Sequence, residues 1–192
     1  MNPQHLVLAD LAYGLHDRHR LDVYAPAEAQ AAAVLVFFHG GGFIRGDKTA
    51  RANIGAWGAS QGFVTVLANY RLAPEHRWPS GPEDVVAGWQ WVREQARDWG
   101  GDPSKIVLVG ESAGAAHVAA ASLMSRFQPV GWQIAGAALL SGPYNAGLEA
   151  QAPEALGIEG PDVRNNAYFS DDRSAWAQAS IVDQVDAAPF PL

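Results

Sequence analysis

Two runs of this 192-residue chain, Val34–Phe38 and Ile106–Val109, are apolar at every position. A strand with one wet face alternates apolar and polar residues, so runs without alternation fit strands covered on both sides. Similar runs lie at Arg20–Tyr24 and Phe63–Asn69, Lys105 begins the run ending at Val109, and Ile134–Leu140 makes a fifth. Helical periodicity falls between them. In Pro82–Trp99 the residues Val85, Trp89, Val92, Ala96 and Trp99 recur along one helix face. Ser80 or Gly81 as N-cap, Pro82 in the first turn and Glu83 mark its start; Gly100-Gly101 marks its end. A second helix is expected from Ser112 to about Arg126 and a third from Thr49 to Gln61. Strands alternating with helices predict an α/β fold with a mostly parallel sheet. Val34–Phe38, Phe63–Asn69 and Lys105–Val109 should share that sheet, with their C-terminal ends on one side. After Gly142 the pattern fades into Pro-, Asn- and Asp-rich sequence, with one short helix expected near Trp176.

Composition narrows the function. A content of 48% hydrophobic and 17% charged residues is that of a folded domain. The net charge of −7 lacks the basic stripe a phosphate backbone requires, so no nucleic-acid partner is expected. Most of that charge lies late: residues 143–192 carry 2 basic and 8 acidic groups, against 11 and 12 in residues 1–142. Zero cysteines exclude disulfide frameworks, cysteine nucleophiles and thiolate metal sites. The six histidines are scattered with no i, i+4 pair, so no metal site is implied. The longest apolar stretch, Ala31–Phe38, is far below the ~20 residues of a membrane span, and the first twenty residues hold no signal-like run. A single domain over residues 1–192, in a cytoplasmic setting, is the expectation; oligomeric state is open.

Chemistry enters at two strand ends. Gly110-Glu111-Ser112-Ala113-Gly114 follows the strand Lys105–Val109 and precedes a helix, the context that makes G-x-S-x-G informative. Small neighbours at such a sharp corner let strand and helix approach, and the helix N-terminus beside Ser112 favours negative charge. His39-Gly40-Gly41-Gly42-Phe43 ends the strand Val34–Phe38. Consecutive glycines leave backbone N–H groups free to point into a cavity, where a tetrahedral oxyanion could accept them. Chance gives about 0.1 matches to the first motif and about 0.006 to the second at this composition.

These residues resemble the α/β-hydrolase superfamily, in the branch of hormone-sensitive lipase and related bacterial-type carboxylesterases. Asn69-Tyr70-Arg71-Leu72-Ala73-Pro74-Glu75 matches that branch's Tyr-Arg-Leu-Ala-Pro-Glu segment, and Gly100-Gly101-Asp102-Pro103 its Gly-Gly-Asp-Pro turn. The resemblance implies a serine hydrolase cleaving carboxylic esters of small or medium acyl groups, with no cofactor. Ser112 would be the nucleophile, and the N–H groups of Gly41, Gly42 and Ala113 the oxyanion hole. His39, Gly40, Gly110 and Gly114 would support the motifs. Arylformamide or amide hydrolysis is an alternative, as is a non-catalytic ligand-binding protein.

One departure is large. The family's chain order is Ser, then Asp or Glu, then His. Downstream of Ser112 the sole histidine is His117, five residues along the expected helix. That places it about 140° around and about 7.5 Å along the axis, out of reach. Ala187–Leu192 resembles the start of the family's next strand. The chain therefore resembles the N-terminal two-thirds of the fold with C-terminal strands missing, residues 143–180 forming a cap-like excursion. The triad acid and base are expected beyond Leu192, and the chain alone is expected to be inactive. Asp183 and Asp186 are acid candidates only outside that resemblance. Glu111 reads as solvated, Asp84 and Asp102 as helix-start and turn residues, His117 as structural, and His5, His16, His19 and His76 as surface or loop histidines. Trp57, Trp78, Trp89, Trp91 and Trp99 read mostly as helix–sheet packing, with Trp78 a candidate pocket wall.

Overall fold

In the computed structural model, which describes residues 5–147 and 161–182, the two doubly apolar runs lie side by side in the sheet. Six strands are formed: β1 (His5–Ala12), β2 (Arg20–Pro26), β3 (Ala32–Phe38), β4 (Val64–Ala68), β5 (Gly101–Glu111) and β6 (Gly136–Leu140). Their order is β1-β2-β4-β3-β5-β6. β3 runs parallel to β4 and β5, and β5 to β6, with Phe38 opposite both Ala68 and Gly110, and Glu111 opposite Leu140. The C-terminal ends of the parallel strands therefore share one edge, as the alternating pattern predicts.

The helices are α1 (Ala52–Ser60), α2 (Ser80–Gln95), α3 (Ala113–Leu123), α4 (Pro161–Phe169) and α5 (Arg173–Ala179). Alternate strand residues serve opposite layers, as period two requires. Val34, Val36, Phe38, Ile106 and Leu108 pack with Val85, Trp89 and Val92 of α2 and Val118 and Ala121 of α3. On the other face Phe37 and Leu67 pack with Tyr24 and Ala59 of α1. Trp89 is fully buried and its indole N–H donates to the Gln133 carbonyl at 3.1 Å, satisfying the one polar atom it carries inside.

Several expectations are corrected. β1 was not foreseen, because its residues are exposed or half-buried without a regular inward face. It pairs antiparallel with β2 across an irregularity between Leu8 and Leu11, where Asp10 takes φ 61°. The α2 N-cap is Pro79, not Ser80 or Gly81; the Ser80 hydroxyl donates instead to the His76 carbonyl at 3.0 Å. α2 stops at Gln95 and passes into a 3₁₀ turn, Ala96–Trp99, before Gly100 at φ 75°. The Thr49 helix starts as a 3₁₀ turn, Lys48–Arg51, capped by Asp47. α3 ends at Leu123, short of Arg126. Trp57 is 58% exposed and does not pack helix on sheet as expected.

α5 covers the short helix foreseen near Trp176; α4 had no periodicity to announce it. Both join a second cluster over the strand ends, in which Phe43, Tyr168, Phe169 and Trp176 meet Ala113, Ala116 and Ala120 of α3. Phe43 and Tyr168 stack with centroids 4.6 Å apart and planes 5° apart. Tyr168 also accepts, at its carbonyl, the Trp78 N–H (2.9 Å) and, at its hydroxyl, the Gly81 N–H (3.0 Å). Ala187–Leu192, Asp183, Asp186 and residues 148–160 of the cap-like excursion lie outside the described residues. Among the described residues no helix is long and apolar enough to cross a membrane.

Candidate active site

β5 ends, and α3 begins, around a single residue. Ser112 has φ 52° and ψ −118°, and the helix starts at Ala113. A non-glycine residue held there costs on the order of 1–3 kcal/mol, sustained by what surrounds it. Here the Ser112 N–H donates to the Leu140 carbonyl at 2.8 Å, tying the corner to the end of β6, and the Ser112 carbonyl accepts from Ala116 at 3.2 Å. At Gly114 a Cβ would collide with the Phe38 carbonyl, so glycine is what lets α3 sit on the end of β3.

The loop after β3 closes on the same point. A Cβ built on Gly40 would lie 3.1 Å from the Ser112 Cβ. Gly41, at φ 140°, faces the Arg45 carbonyl with no room for a side chain, and its own carbonyl accepts from Ile44 (3.3 Å) and Arg45 (3.2 Å). Among the described residues no backbone acceptor takes the Gly41 or Gly42 N–H. The Ala113 N–H opens α3 and has no intrahelical acceptor. A cavity of about 180 Å³ is lined by Gly42, Phe43, Ser112, Ala113, Ser141, Pro143 and Arg164. Three non-glycine residues of this lining have positive φ: Phe43 (70°), Ser112 (52°) and Ser141 (52°). Each follows a different parallel strand, so local strain gathers where three strand ends meet.

His39 braces the loop. Its ring stacks on Tyr70 at 4.4 Å, and the Tyr70 hydroxyl donates to the His39 carbonyl at 2.8 Å. Its Nδ1 lies 2.7 Å from the Gly40 carbonyl and its Nε2 3.4 Å from the Arg18 guanidinium. A neutral ring with the proton on Nδ1 fits both contacts. Burial holds the His39 imidazole below the usual histidine range, as that tautomer requires. Arg18 further donates to the Tyr70 and Gly46 carbonyls at 2.7 and 2.9 Å. The Tyr70–Arg71 pair of the sequence motif thus splits its work. Tyr70 faces the glycine loop, while Arg71 clamps Asp84 through its backbone N–H (2.7 Å) and Nε (2.8 Å).

Three sequence readings change here. Asp84 is no helix-start cap: it is 1% exposed and also meets His19 Nε2 at 3.0 Å. Burial pushes its carboxyl up, but the hydrogen bonds from His19 and Arg71 outweigh that and hold it below the usual carboxylate range. His19 lies in the loop between β1 and β2, with its ring turned to Asp84. Glu111 is not simply solvated; both its oxygens take hydrogen bonds from Arg51, each 2.8 Å. Those bonds hold its carboxyl below the ordinary value. Asp102 falls inside β5 and not in a turn, and accepts from the Ser104 N–H and hydroxyl. Trp78 borders a different cavity, of about 550 Å³, with Arg126, Phe127 and Gln178.

His117 is buried among Phe43, Tyr70 and Tyr168, with Nδ1 3.5 Å from the Tyr168 hydroxyl and Nε2 unpartnered. Burial pushes its imidazole down to about 3, so it is neutral at any ordinary pH. Among the described residues no histidine is hydrogen-bonded to the Ser112 hydroxyl. No group of three or more candidate metal ligands occurs among them either. Arg18, Arg51, Ser141 and Arg164 were missed from sequence, where nothing distinguishes them from other polar residues. The arrangement brings Ser112, Gly42 and Ala113 around one small cavity, while Gly41 lines a neighbouring groove that also reaches Ser112.

A profile of the family described as alpha/beta hydrolase fold matches residues 35–190. Carboxylesterase NlhH of Mycobacterium tuberculosis is 43% identical over 96 residues, 47% of this chain and 29% of that protein. Ethyl acetate hydrolase of Pseudomonas putida is 34% identical over 114 residues, 56% of this chain and 36% of that protein. Esterase B from Lactobacillus rhamnosis superposes with a TM-score of 0.84 at 19% identity, over 98% of this chain and 64% of that one, a likeness of fold alone. The hyperthermophilic esterase of Pyrobaculum calidifontis gives a TM-score of 0.76 at 27% identity, over 94% and 62%. The chain thus spans about a third of the curated relatives it matches and somewhat under two thirds of these solved ones.

Proposed function

The chain belongs to the family of the alpha/beta hydrolase fold, and from that premise we propose that it carries the nucleophile and oxyanion donors of a serine hydrolase acting on carboxylic esters. Ser112 Oγ attacks the ester carbonyl carbon. The carbonyl oxygen, gaining negative charge, turns toward the N–H groups of Gly41, Gly42 and Ala113, each donor being worth roughly 3–4 kcal/mol in comparable sites. The alcohol leaves with a proton, and water releases the acid from the acyl-serine.

One observation carries this reading. Ser112 stands strained at a strand-to-helix corner, sharing its cavity with Gly42 and Ala113. The cavity of about 180 Å³ supports a small or medium acyl group, since a liquid water occupies about 30 Å³. Carboxylesterase NlhH and ethyl acetate hydrolase, by their names, support esters as the substrate class. The proton acceptor and the acid that orients it belong, in this reading, outside the described residues. The described part of the cap-like excursion, residues 143–147 and 161–180, then covers the strand ends within one domain. The acidic balance of −7 supports a small-molecule substrate, in a cytoplasmic setting, over a nucleic-acid partner.

A fluorophosphonate probe, applied with added imidazole to stand in for the base this reading places outside the described residues, tests the nucleophile. The expected result is imidazole-dependent covalent labelling that maps to Ser112 and disappears in Ser112→Ala. Labelling that persists in that variant overturns the assignment.

A further inference from the structure

We infer that Ser141 is a second catalytic hydroxyl, which donates a hydrogen bond to the alkoxy oxygen of the ester as Ser112 attacks. Esters of poorly leaving alcohols then depend on it most. The inference rests on Ser112 being the nucleophile and adds to that reading a residue that acts on the leaving group.

Register is the first ground. Glu111 and Leu140 are partners at the ends of β5 and β6, so Ser112 and Ser141 follow them as neighbours. Paired strands lie about 4.8 Å apart. The 2.8 Å bond from the Ser112 N–H to the Leu140 carbonyl carries that pairing to the corner. β3, which leads into the glycine loop, lies on the other side of β5. Ser112 is therefore flanked by the glycine loop on one side and by Ser141 on the other.

The cavities are the second ground. Beside the cavity of about 180 Å³ runs a groove of about 590 Å³, bounded by Ile54 of α1 and by Leu140. Among the described residues only Ser112 and Ser141 line both spaces. An ester with its acyl group in the smaller space and its alcohol in the groove crosses between them at these two serines. Its carbonyl oxygen turns to the glycine-loop side, and its alkoxy oxygen passes Ser141.

Backbone strain is the third. Ser141 takes φ 52°, the same value as Ser112, where glycine would sit without steric cost. Among the described residues the Ser141 hydroxyl has no hydrogen-bond partner, and the residue is exposed. Strain of this kind without a protein contact to offset it marks a functional position.

The chemistry balances. As the bond from the carbonyl carbon to the alkoxy oxygen breaks, that oxygen takes the electron pair. Ser141 keeps its own proton and donates a hydrogen bond; the proton the alcohol finally carries is the one Ser112 gave up to the base. A hydrogen bond to an ionised oxygen is stronger than one to a neutral oxygen. Nitrophenoxide spreads its charge into the ring and needs little help, whereas phenoxide keeps more charge on oxygen.

Acylation can be timed in the 192-residue chain with added imidazole as the base. Butyrylation of Ser112, located by peptide mass mapping, is followed with phenyl butyrate and with p-nitrophenyl butyrate. Ser141→Gly, which suits the positive φ, should slow the phenyl ester about tenfold and the nitrophenyl ester only about twofold. If that variant melts lower than its parent, Ser141→Ala is read in its place and must show the same split. Equal slowing of both esters marks a structural role and overturns the proposal, as does slowing of neither. Butyrylation of Ser112 without the split sinks this inference alone. No butyrylation of Ser112 in the parent chain by either ester sinks the nucleophile reading, and this one with it.

Discussion

The layer beneath α2 and α3 and the cluster above the strand ends are both apolar, yet they are built differently. The lower layer interleaves strand residues such as Val36 and Leu108 with Val85, Trp89 and Val92. Its contacts follow from strand and helix periods. The upper cluster joins Phe43, Tyr168, Phe169 and Trp176 from three separate segments, with Tyr168 hydrogen-bonded to the backbone at Gly81 and Trp78. The lower layer holds the Ser112 corner in place, while the upper one packs over it. The two packing units meet at His117, whose ring contacts Tyr70 on one side and Phe43 and Tyr168 on the other.

The largest expected effect tests whether the corner alone suffices. The 192-residue chain should hydrolyse p-nitrophenyl butyrate with at most the ~10³–10⁴-fold advantage over water left when a triad base is lacking. Fast turnover abolished by Ser112→Ala would show that a histidine within the chain serves as base, and would make the corner self-sufficient.

Next comes stability, where the two units should part. Trp89→Ala should cost about 3–5 kcal/mol in urea unfolding, since a fully buried ring is lost from the lower layer. Trp176→Ala removes an equally buried ring from the upper cluster. Its effect should be local: faster amide exchange in α4 and α5 with β3–β5 still protected. Faster exchange throughout the sheet would mean that the two units are one.

pH probes the junction. His117 stays neutral in the folded chain down to about 3 because burial penalises its charge. The unfolded chain binds that proton near the ordinary value of about 6.5. Protons therefore favour unfolding between those values, and stability attributable to His117 falls by up to about 1.4 kcal/mol per unit as pH drops. Melting curves of His117→Leu should lack that component; an unchanged acid slope would remove His117 from the account.

The smallest effect belongs to the groove beside the corner. Glu111 and Arg51 are each about a third exposed (34%), so Glu111→Gln should cost only about 0.5–1 kcal/mol after solvent screening. A loss of several kcal/mol would mean that this pair, rather than the lower layer, fixes Ser112.

Much of this architecture is visible in local patterns. Doubly apolar runs name β3 and β5, a 3.6-residue period names α2, and two glycine-bearing motifs fall where strands end. Such signals survive in sequence because each depends on neighbours within a few residues, through strand pleat, helix turn or the space a Cβ would take. β1 escaped because an edge strand without an inward face has no period to read. α4 escaped because its residues carry no apolar stripe of their own and meet their partners only across the chain. Tertiary structure alone decided which charges meet. Asp84 with His19 and Arg71, and Glu111 with Arg51, join residues up to 65 positions apart. Contacts between distant side chains leave no spacing in a single sequence, so the Ser112 corner could be located from motifs while the ion pairs around it could not.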